Sequence, residues 1–479
     1  MSKLREKVKA LWHVEGGSLT QRDFFSYSFA GLGQNMIYGI MNSYLMIFYT
    51  RVFGVGSKDV GRMFLAAKLW DAANDPLMGS VIDKTRTRWG KIRPYLLWTP
   101  IPIAVITVLL FTAPDLTPGG KIVYMYITYI LWGMLYTVCD VPYWSLSSVM
   151  TPNELERTKL VSFTRFLTGV GMAAPTVMVS LLFALQKVPS AKGAVGDEKQ
   201  IYFITAVAMS VVGAGLLSLG FFGTKERVSQ SEDKPSLKES FGYLFKNKPL
   251  MMILLCNLLA FPKAIQGASQ AYVATYLLGG GEWVAILGIP GAVSSTLSYA
   301  FTPAMVRRFG AIKTYIIANI YTLIPMAIMY FVGFKSIPVI LIFLFLTGLS
   351  GGTIGVIPTI LIADCVDYME WQTGKRSEGV SFSVQTFMAK ASSALQGWAL
   401  GYLLAWAQVG GADAITYDPG KLWSVYTIIP ALGSVLCIIP LIFYDLKGEK
   451  LERVRRELPL RRQEILKTEV TKINEQSTD

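Results

Sequence analysis

The sequence has a single histidine, His13, placed in a mixed-charge stretch ahead of the first long apolar run. That excludes a histidine proton relay through the apolar part of the chain. Cysteine is nearly as scarce. Cys139, Cys256, Cys365 and Cys437 lie in or beside apolar runs without metal-ligand spacing, so neither a structural disulfide nor a zinc site is expected. Charge is thin too, at 16% of the residues, where a soluble domain carries about 25%. The net charge of +13 comes from lysines and arginines grouped between apolar runs. No basic stripe with interleaved aromatics forms, so no nucleic-acid partner is expected. The opening MSKLREKVKALWHVEGGSLTQRD lacks the apolar core of a cleaved signal peptide.

What fills the chain is apolar sequence. Of 479 residues 52% are hydrophobic, and the mean hydropathy is +0.43. A bilayer-spanning helix needs about 20 apolar residues. Such segments lie at 24–50, 58–82, 94–113, 121–150, 158–186, 200–222, 249–280, 282–306, 312–333, 337–363, 378–407 and 421–444. The expected fold class is an all-α integral membrane protein of twelve transmembrane helices. An even number places both termini on one side. The basic loop DKTRTRWGKIRP and the basic tail after Tyr444 mark that side as cytoplasmic.

The longest polar stretch between apolar runs falls near mid-chain and divides it into two halves. The expected parts are a tail (1–23), a six-helix bundle (24–222), a linker (223–248), a second six-helix bundle (249–444) and a second tail (445–479). A repeat supports the division. Arg88-Trp-Gly-Lys-Ile-Arg93 recurs as Arg308-Phe-Gly-Ala-Ile-Lys313, an offset of 308 − 88 = 220 positions. Arg157-Thr-Lys-Leu-Val-Ser-Phe163 recurs as Arg376-Ser-Glu-Gly-Val-Ser-Phe382 at nearly the same offset. Parallel repeats of this kind belong to transporters that rock two bundles around a midplane site.

Against this apolar background, WDAANDP in the second segment is anomalous. Asp71, Asn74 and Asp75 stand at i, i+3 and i+4, so on a helix their oxygens share one face, within reach of one small cation. Ionised groups inside a membrane segment are costly and mark function by default. Three hard oxygen donors suit sodium, lithium or a proton. The bland alternative is that the acids lie near a cytoplasmic end, solvated or paired with Lys68. Shifted by one repeat, Asp71 and Asp75 land on Gly291 and Ser295, so the cation site belongs to the first half alone. In the fourth segment Thr137 and Asp140 are one turn apart. Thr137 can complete the cation shell, with Asp140 facing the same cavity. Trp144 lies one turn further on, an aromatic plate for the C–H face of a sugar. Arg165, Lys263 and Lys390 are the mid-segment cations expected to face the interior.

The segments LWDAANDPLMGSVIDKTRTRWGKIRPYLLW, VCDVPYWSLSSVMTPNELERTKLVSFTRF, DCVDYMEWQTGKRSEGVSFSVQTFMAK and YSFAGLGQNMIYGI resemble the glycoside-pentoside-hexuronide cation symporters of the major facilitator superfamily. The resemblance covers essentially the whole chain. It implies the major facilitator fold and cation-coupled symport of a glycoside or related sugar, a uronide or pentoside included. No cofactor is implied beyond the coupling ion (Na+, Li+ or H+). By this resemblance Asp71, Asn74, Asp75 and Thr137 form the cation site, binding the metal where that ion is sodium. Asn35, Asp140, Trp144, Arg165, Lys263, Gln385 and Lys390 are the substrate-binding candidates.

Two departures stand out. The family's melibiose-carrying members have a sugar-binding acid where this chain has Asn35, and another acid where it has Arg51. The pocket is therefore less negative, and Lys263 adds a cation. An anionic or uronide-bearing glycoside held by Arg165 and Lys263 is one expectation. No histidine-bearing regulatory domain is expected after Tyr444. A monomer in the plasma or inner membrane is expected. Two rival readings are a lysolipid carrier on the same fold, and an intramembrane prenyltransferase holding magnesium-diphosphate at Asn74-Asp75 and at Asp364 with Asp367. The first is told apart by a cavity open to lipid, the second by magnesium-dependent turnover.

Overall fold

The computed structural model describes residues 17–189, 192–227, 247–373, 378–409 and 417–460. Among these the regular structure is helical, apart from one isolated bridge between Thr87 and Gly90. The first half holds α1 (Gln21–Ile47), α2 (Ser57–Lys84), α3 (Arg93–Trp98), α4 (Pro100–Leu110), α5 (Pro118–Met150), α6 (Glu154–Gln186), α7 (Lys192–Val195) and α8 (Glu198–Phe222). The second holds α9 (Lys248–Leu259), α10 (Phe261–Tyr272), α11 (Trp283–Phe309), α12 (Ala311–Val332), α13 (Ile337–Gly348), α14 (Gly351–Thr373), α15 (Glu378–Trp406), α16 (Pro419–Leu436) and α17 (Ile439–Ile442). Most of the expected linker, 228–246, lies outside the described residues, as do 1–16 and 461–479 of the tails.

Local chemistry sets the helix ends. Thr20, Thr117, Asn153, Asp197 and Asn247 cap α1, α5, α6, α8 and α9 by accepting from backbone N–H groups of the first turn. Prolines divide segments that read as continuous in the sequence. Pro100 and Pro262 cannot donate to the carbonyls of Leu96 and Leu258, so 94–113 breaks at Thr99 and 249–280 at Ala260. The segment at 337–363 breaks between Gly348 and Gly351, then runs on as α14 to Thr373.

Among the described residues eight helices are long and apolar enough to cross a membrane. Four of the twelve expected spans are not among these eight: 94–113, where the break at Thr99 leaves only the shorter apolar helix α4, is one, and the other three are α1, α2 and α15. They carry much of the polar sequence: Gln34, Asn35 and Asn42; Lys68, Asp71, Asn74 and Asp75; Gln385, Lys390 and Gln396.

The internal repeat has a backbone counterpart. Gly90 and Gly310, equivalent at the offset of 220, both adopt positive φ (110° and 79°), a conformation that side chains disfavour. At Gly90 a Cβ would also lie 2.4 Å from the Glu226 carboxylate. That carboxylate accepts from the N–H groups of Lys91, Ile92 and Arg93 at 2.9–3.0 Å. Among the described residues no such acid stands near Gly310, where a Cβ would meet nothing within 4 Å. A second correspondence escaped the sequence reading. α1 and α10 both run into π-helical turns, Phe48–Val52 and Val273–Leu277, each followed by a positive-φ glycine, Gly54 or Gly279.

The residues fall into two compact units. One contains the first half together with Ile265–Gly288 and Ala394–Tyr426. Within it α1 packs closely on α6 and α8, because glycines stand at the crossings. A Cβ on Gly33 would lie 2.4 Å from the Gly213 carbonyl oxygen, and one on Gly171 2.4 Å from that of Leu32. One end of this unit is tied by buried carboxylates. Glu156 accepts from the N–H groups of Ser18 and Leu19 (both 3.0 Å) and from the Thr151 hydroxyl (2.5 Å). Asp23 pairs with Arg227 at 2.6 Å. The second unit has its own core, in which Leu250, Ile253 and Leu254 of α9 meet Tyr315 of α12, Ile357 and Leu361 of α14, and Tyr444.

Candidate functional site

Asp71 is buried on the face of α2 that meets α5. Its approach depends on Gly133, where a Cβ would stand 2.7 Å from Asp71 Oδ1. Thr137, also buried, follows Gly133 by one turn on the same face of α5. Asn74, half-buried, is one turn along α2 from Asp71. Asp75 belongs to the same helix, with its side chain outside the described set. Asp71 and Thr137 thus bring a carboxylate and a hydroxyl to one α2–α5 seam, with the Asn74 amide one turn along α2. The oxygen-only chemistry of this donor set fits a small hard cation. Among the described residues no three His, Cys, Asp or Glu side chains group as a metal site. Lys68 Nζ lies 3.4 Å from Asp71 Oδ2, so the acid has an internal counter-ion one turn away.

One turn beyond Thr137, Asp140 anchors a second group. Gln34 Nε2 donates to Asp140 Oδ1 at 2.7 Å, and Trp144 Nε1 donates to the same oxygen at 3.1 Å. The Arg165 guanidinium from α6 stacks over the Trp144 ring, 4.1 Å from its centroid. Asp140, Trp144 and Arg165 therefore come together as the sequence suggests. Asn35 does not join them. Its amide donates to the Gly31 carbonyl within α1, while its neighbour Gln34 reaches the carboxylate. Gln34 is 1% exposed, and its Oε1 has no hydrogen-bond partner among the described residues. Beside this group Tyr38, Tyr136 and Trp132 form an aromatic row, with ring centroids 5.2 Å and 4.8 Å apart. Sequence reasoning missed Gln34 and this row. The one available signal was an amide beside Asn35 in an otherwise apolar helix.

The remaining candidates lie in the second unit. Lys263 of α10 donates to Asn319 Oδ1 at 2.6 Å, so its ammonium is engaged by a buried amide of α12. Gln385 lines a cavity with residues of α9 and α14. Lys390 is half-buried on α15, five residues from Gln385 and so on a different face. Asp364, the first acid of the supposed second magnesium motif, pairs instead with Arg455 at 2.9 Å.

Comparison with known proteins agrees with this architecture. A family model described as MFS/sugar transport protein matches residues 26–448. The inner membrane symporter YicJ of Escherichia coli (strain K12) is 30% identical over 452 residues, covering 92% of this chain and 95% of that protein. An isoprimeverose transporter of Lactiplantibacillus pentosus is 32% identical, covering 89% of each. A glucuronide carrier protein homolog of Escherichia coli (strain K12) is 29% identical, covering 93% of this chain and 96% of that one. Among solved structures, a bacterial homolog of the human lysosomal transporter spinster superposes with a TM-score of 0.65 at 12% identity, over 91% of this chain and 97% of that one. The nucleoside transporter NupG gives 0.63 at 15% identity, over 89% and 100%. At such identity these two show the fold alone. The chain belongs to the sugar-transport family of the major facilitator superfamily, the glycoside-pentoside-hexuronide group, whose members are membrane carriers and not enzymes.

Proposed function

We propose that the protein is a cation-coupled symporter that moves a glycoside across the plasma or inner membrane by alternating access of two six-helix bundles. Twelve spans with both termini cytoplasmic complete this reading. The observation that carries it is the placement of Thr137 and Asp140 one turn apart on α5. A cation bound by Asp71, Asn74, Asp75 and Thr137 fixes the α2–α5 seam, and the same stretch of α5 aims Asp140 at the sugar. The isoprimeverose and glucuronide carriers among the relatives support a glycoside as cargo.

In the mechanism that follows, Lys68 neutralises Asp71 before the cation arrives. The incoming cation competes with that ammonium for the carboxylate. Once bound, it holds the seam in the geometry where Asp140, Gln34 and Arg165 hydrogen-bond the sugar, with Trp144 against its apolar face. The coupling is reciprocal and typically about 1–3 kcal/mol. Cations that fill the seam therefore tighten sugar binding, and sugar tightens the cation by the same factor.

The test is uptake of isoprimeverose and of simple methyl glycosides into proteoliposomes, with sodium and pH gradients varied separately. Asp71→Asn should abolish gradient-driven accumulation while sugar exchange at equal concentrations persists. Accumulation that survives Asp71→Asn unchanged would remove the cation site from this seam.

A further inference from the structure

One cluster of titratable and nucleophilic side chains in the second unit has no part in the mechanism above. Cys256 of α9 and Cys437, which directly follows α16, lie far apart in the sequence and meet beside one turn of α12. The Cys256 thiol donates to the Tyr315 hydroxyl at 3.7 Å, and the Cys437 thiol donates to Asn319 Oδ1 at 3.3 Å. Tyr315 and Asn319 stand one turn apart, and the Asn319 amide donates to the Tyr315 carbonyl at 2.8 Å, which fixes both acceptors. The Tyr315 hydroxyl serves both sulfurs, and each sulfur is the other's neighbour. Both cysteines are free thiols.

The surroundings are not those of a thiol packed as a small apolar side chain. Lys263 Nζ donates to the same Asn319 oxygen at 2.6 Å, so an ammonium stands beside the Cys437 sulfur. One turn before Cys437, the buried Ser434 hydroxyl has no hydrogen-bond partner among the described residues. α10 reaches this place because Gly433 has no side chain: a Cβ there would lie 2.7 Å from the Lys263 backbone nitrogen. An electropositive setting of this kind is where reactive cysteines are found. Both thiols are covered while Lys263 is half-buried, so a small neutral molecule such as a peroxide has its way in along that side chain. Cys139 and Cys365 have no second thiol or ammonium beside them among the described residues.

We propose that Cys256 and Cys437 form a redox-sensitive dithiol, oxidised by a hydroperoxide to a disulfide that slows transport. The Cys437 sulfur attacks one peroxide oxygen. The S–O bond forms as the O–O bond breaks, two electrons pass from sulfur to oxygen, and the departing oxyanion takes the thiol proton. The Cys256 sulfur then attacks the sulfenic sulfur. The S–S bond forms as the S–O bond breaks, and hydroxide leaves with the Cys256 proton as water. In sum, two thiols and ROOH give a disulfide, ROH and water, and exchange with a small thiol restores both cysteines. The bond would tie α9 to the end of α16. The chain leaves the second unit within α10, after Ala264, and re-enters it within α16, at Thr427. The tie therefore joins the roots of two stretches that a carrier must shift as its access alternates. Its effect on transport rests on the reading of the chain as a carrier, and the bond itself does not.

The experiment treats the full chain in proteoliposomes with hydrogen peroxide and then with dithiothreitol, and reads two quantities. Mass spectrometry of the digested protein should find the peptides of Cys256 and Cys437 crosslinked after peroxide and separate after dithiothreitol. Isoprimeverose uptake should fall by about fivefold or more with the crosslink, as expected when a conformational step is held back, and return when the bond is reduced. Cys256→Ser and Cys437→Ser should each keep their uptake in peroxide, whereas Cys139→Ser and Cys365→Ser should lose it as the parent does. Thermal unfolding of every variant before peroxide, at the parent's temperature, guards against misfolding. Lys263→Gln should slow crosslinking by about tenfold or more at the same peroxide concentration, and Lys263→Arg should restore it, since the charge beside the sulfur is what speeds attack. Peroxide that leaves no crosslinked peptide overturns the pair. A crosslink with unchanged uptake, or a loss of uptake that persists in Cys256→Ser, overturns the switch. If the untreated parent carries no isoprimeverose, the reading of the chain as a carrier of that glycoside falls, while the crosslinked peptide still decides the pair.

Discussion

At Gln34 a buried amide gives its N–H to Asp140 and keeps an oxygen that nothing among the described residues satisfies. A buried acceptor left unpaired costs about 1–3 kcal/mol, and a hydroxyl from bound sugar removes that cost. Gln34→Leu should therefore weaken sugar binding by about five- to a hundredfold, the range that follows from losing a buried hydrogen bond. Gln34→Glu should do worse, since a second carboxylate beside Asp140 repels it. Sugar-dependent quenching of tryptophan fluorescence, with Trp144 in the cluster, measures both. An unchanged affinity in Gln34→Leu would make this residue a packing element only. The contrast with Asn35 shows what sequence could and could not reveal. Asp71, Asp140 and Arg165 were legible because an ionised group in an apolar run is an energetic anomaly. Two adjacent amides carry no such signal. Successive residues on a helix point about 100° apart, and only the packing of α1 against α5 decides which one faces the carboxylate.

Among the helices, polarity and position are linked. The expected spans α1, α2 and α15 are less apolar than the other long helices because they carry amides, acids and lysines, several of them candidates for the cation and the sugar. Helix existence was readable from hydropathy, and the turn at Gly90 from the repeat. Breaks at Thr99 and Ala260 could have been placed by Pro100 and Pro262, whereas the paired π-turns after α1 and α10 left no pattern in residue types. The carboxylates that tie the start of α1 make a prediction at this scale. Burial alone would raise the Asp23 and Glu156 carboxyls. For Asp23 the Arg227 guanidinium and Thr20 outweigh burial, and for Glu156 the donors of Thr151, Leu19 and Ser18 do, so both end below their ordinary values. A carboxyl lowered on folding stabilises the fold above its unfolded pKa and loses that contribution as pH falls through the folded one. At neutral pH Glu156→Gln and Asp23→Asn should each cost on the order of 1–3 kcal/mol, the worth of a charged hydrogen-bond cluster. As pH falls below the ordinary carboxyl range the gap between each variant and the parent should shrink, because the parent's carboxyl takes up a proton and loses its charged hydrogen bonds. Thermal unfolding in detergent at pH 7 and pH 3 reads this directly. A gap between parent and variant that persists undiminished at low pH would show that shape and not charge ties this end.

At the scale of the molecule, one compact unit takes in pieces of the second half, Ile265–Gly288 and Ala394–Tyr426. Thr50 shares a hydrogen bond of 2.7 Å with Tyr272, Arg51 lies over Tyr276 while paired with Glu198, and Lys187 pairs with Glu282. These contacts gather at the end of α1 opposite Asp23, the face away from the cytoplasm in the proposed orientation. α2 and α15 also approach closely. A Cβ on Gly401 would lie 2.5 Å from the Ser57 carbonyl oxygen and 2.8 Å from Gly61 Cα, so only glycine allows the helices to meet. A carrier that alternates access must close this face in one state and part it in another. Gly401→Leu should then hold it open. Overpacking of this kind costs about 1–3 kcal/mol, enough to shift a balanced two-state equilibrium by about fivefold or more. The readout is a cysteine at Ser57, which is 2% exposed, probed with a membrane-impermeant maleimide from the face opposite the termini. The four native cysteines are buried and should give little background. Labelling of Ser57→Cys should be slow in the parent and at least about fivefold faster with Gly401→Leu, with net uptake falling by a similar factor. Slow labelling with normal uptake in Gly401→Leu would mean that α2 and α15 stay together throughout the cycle, and the parting would have to be sought at Thr50 and Tyr272 instead.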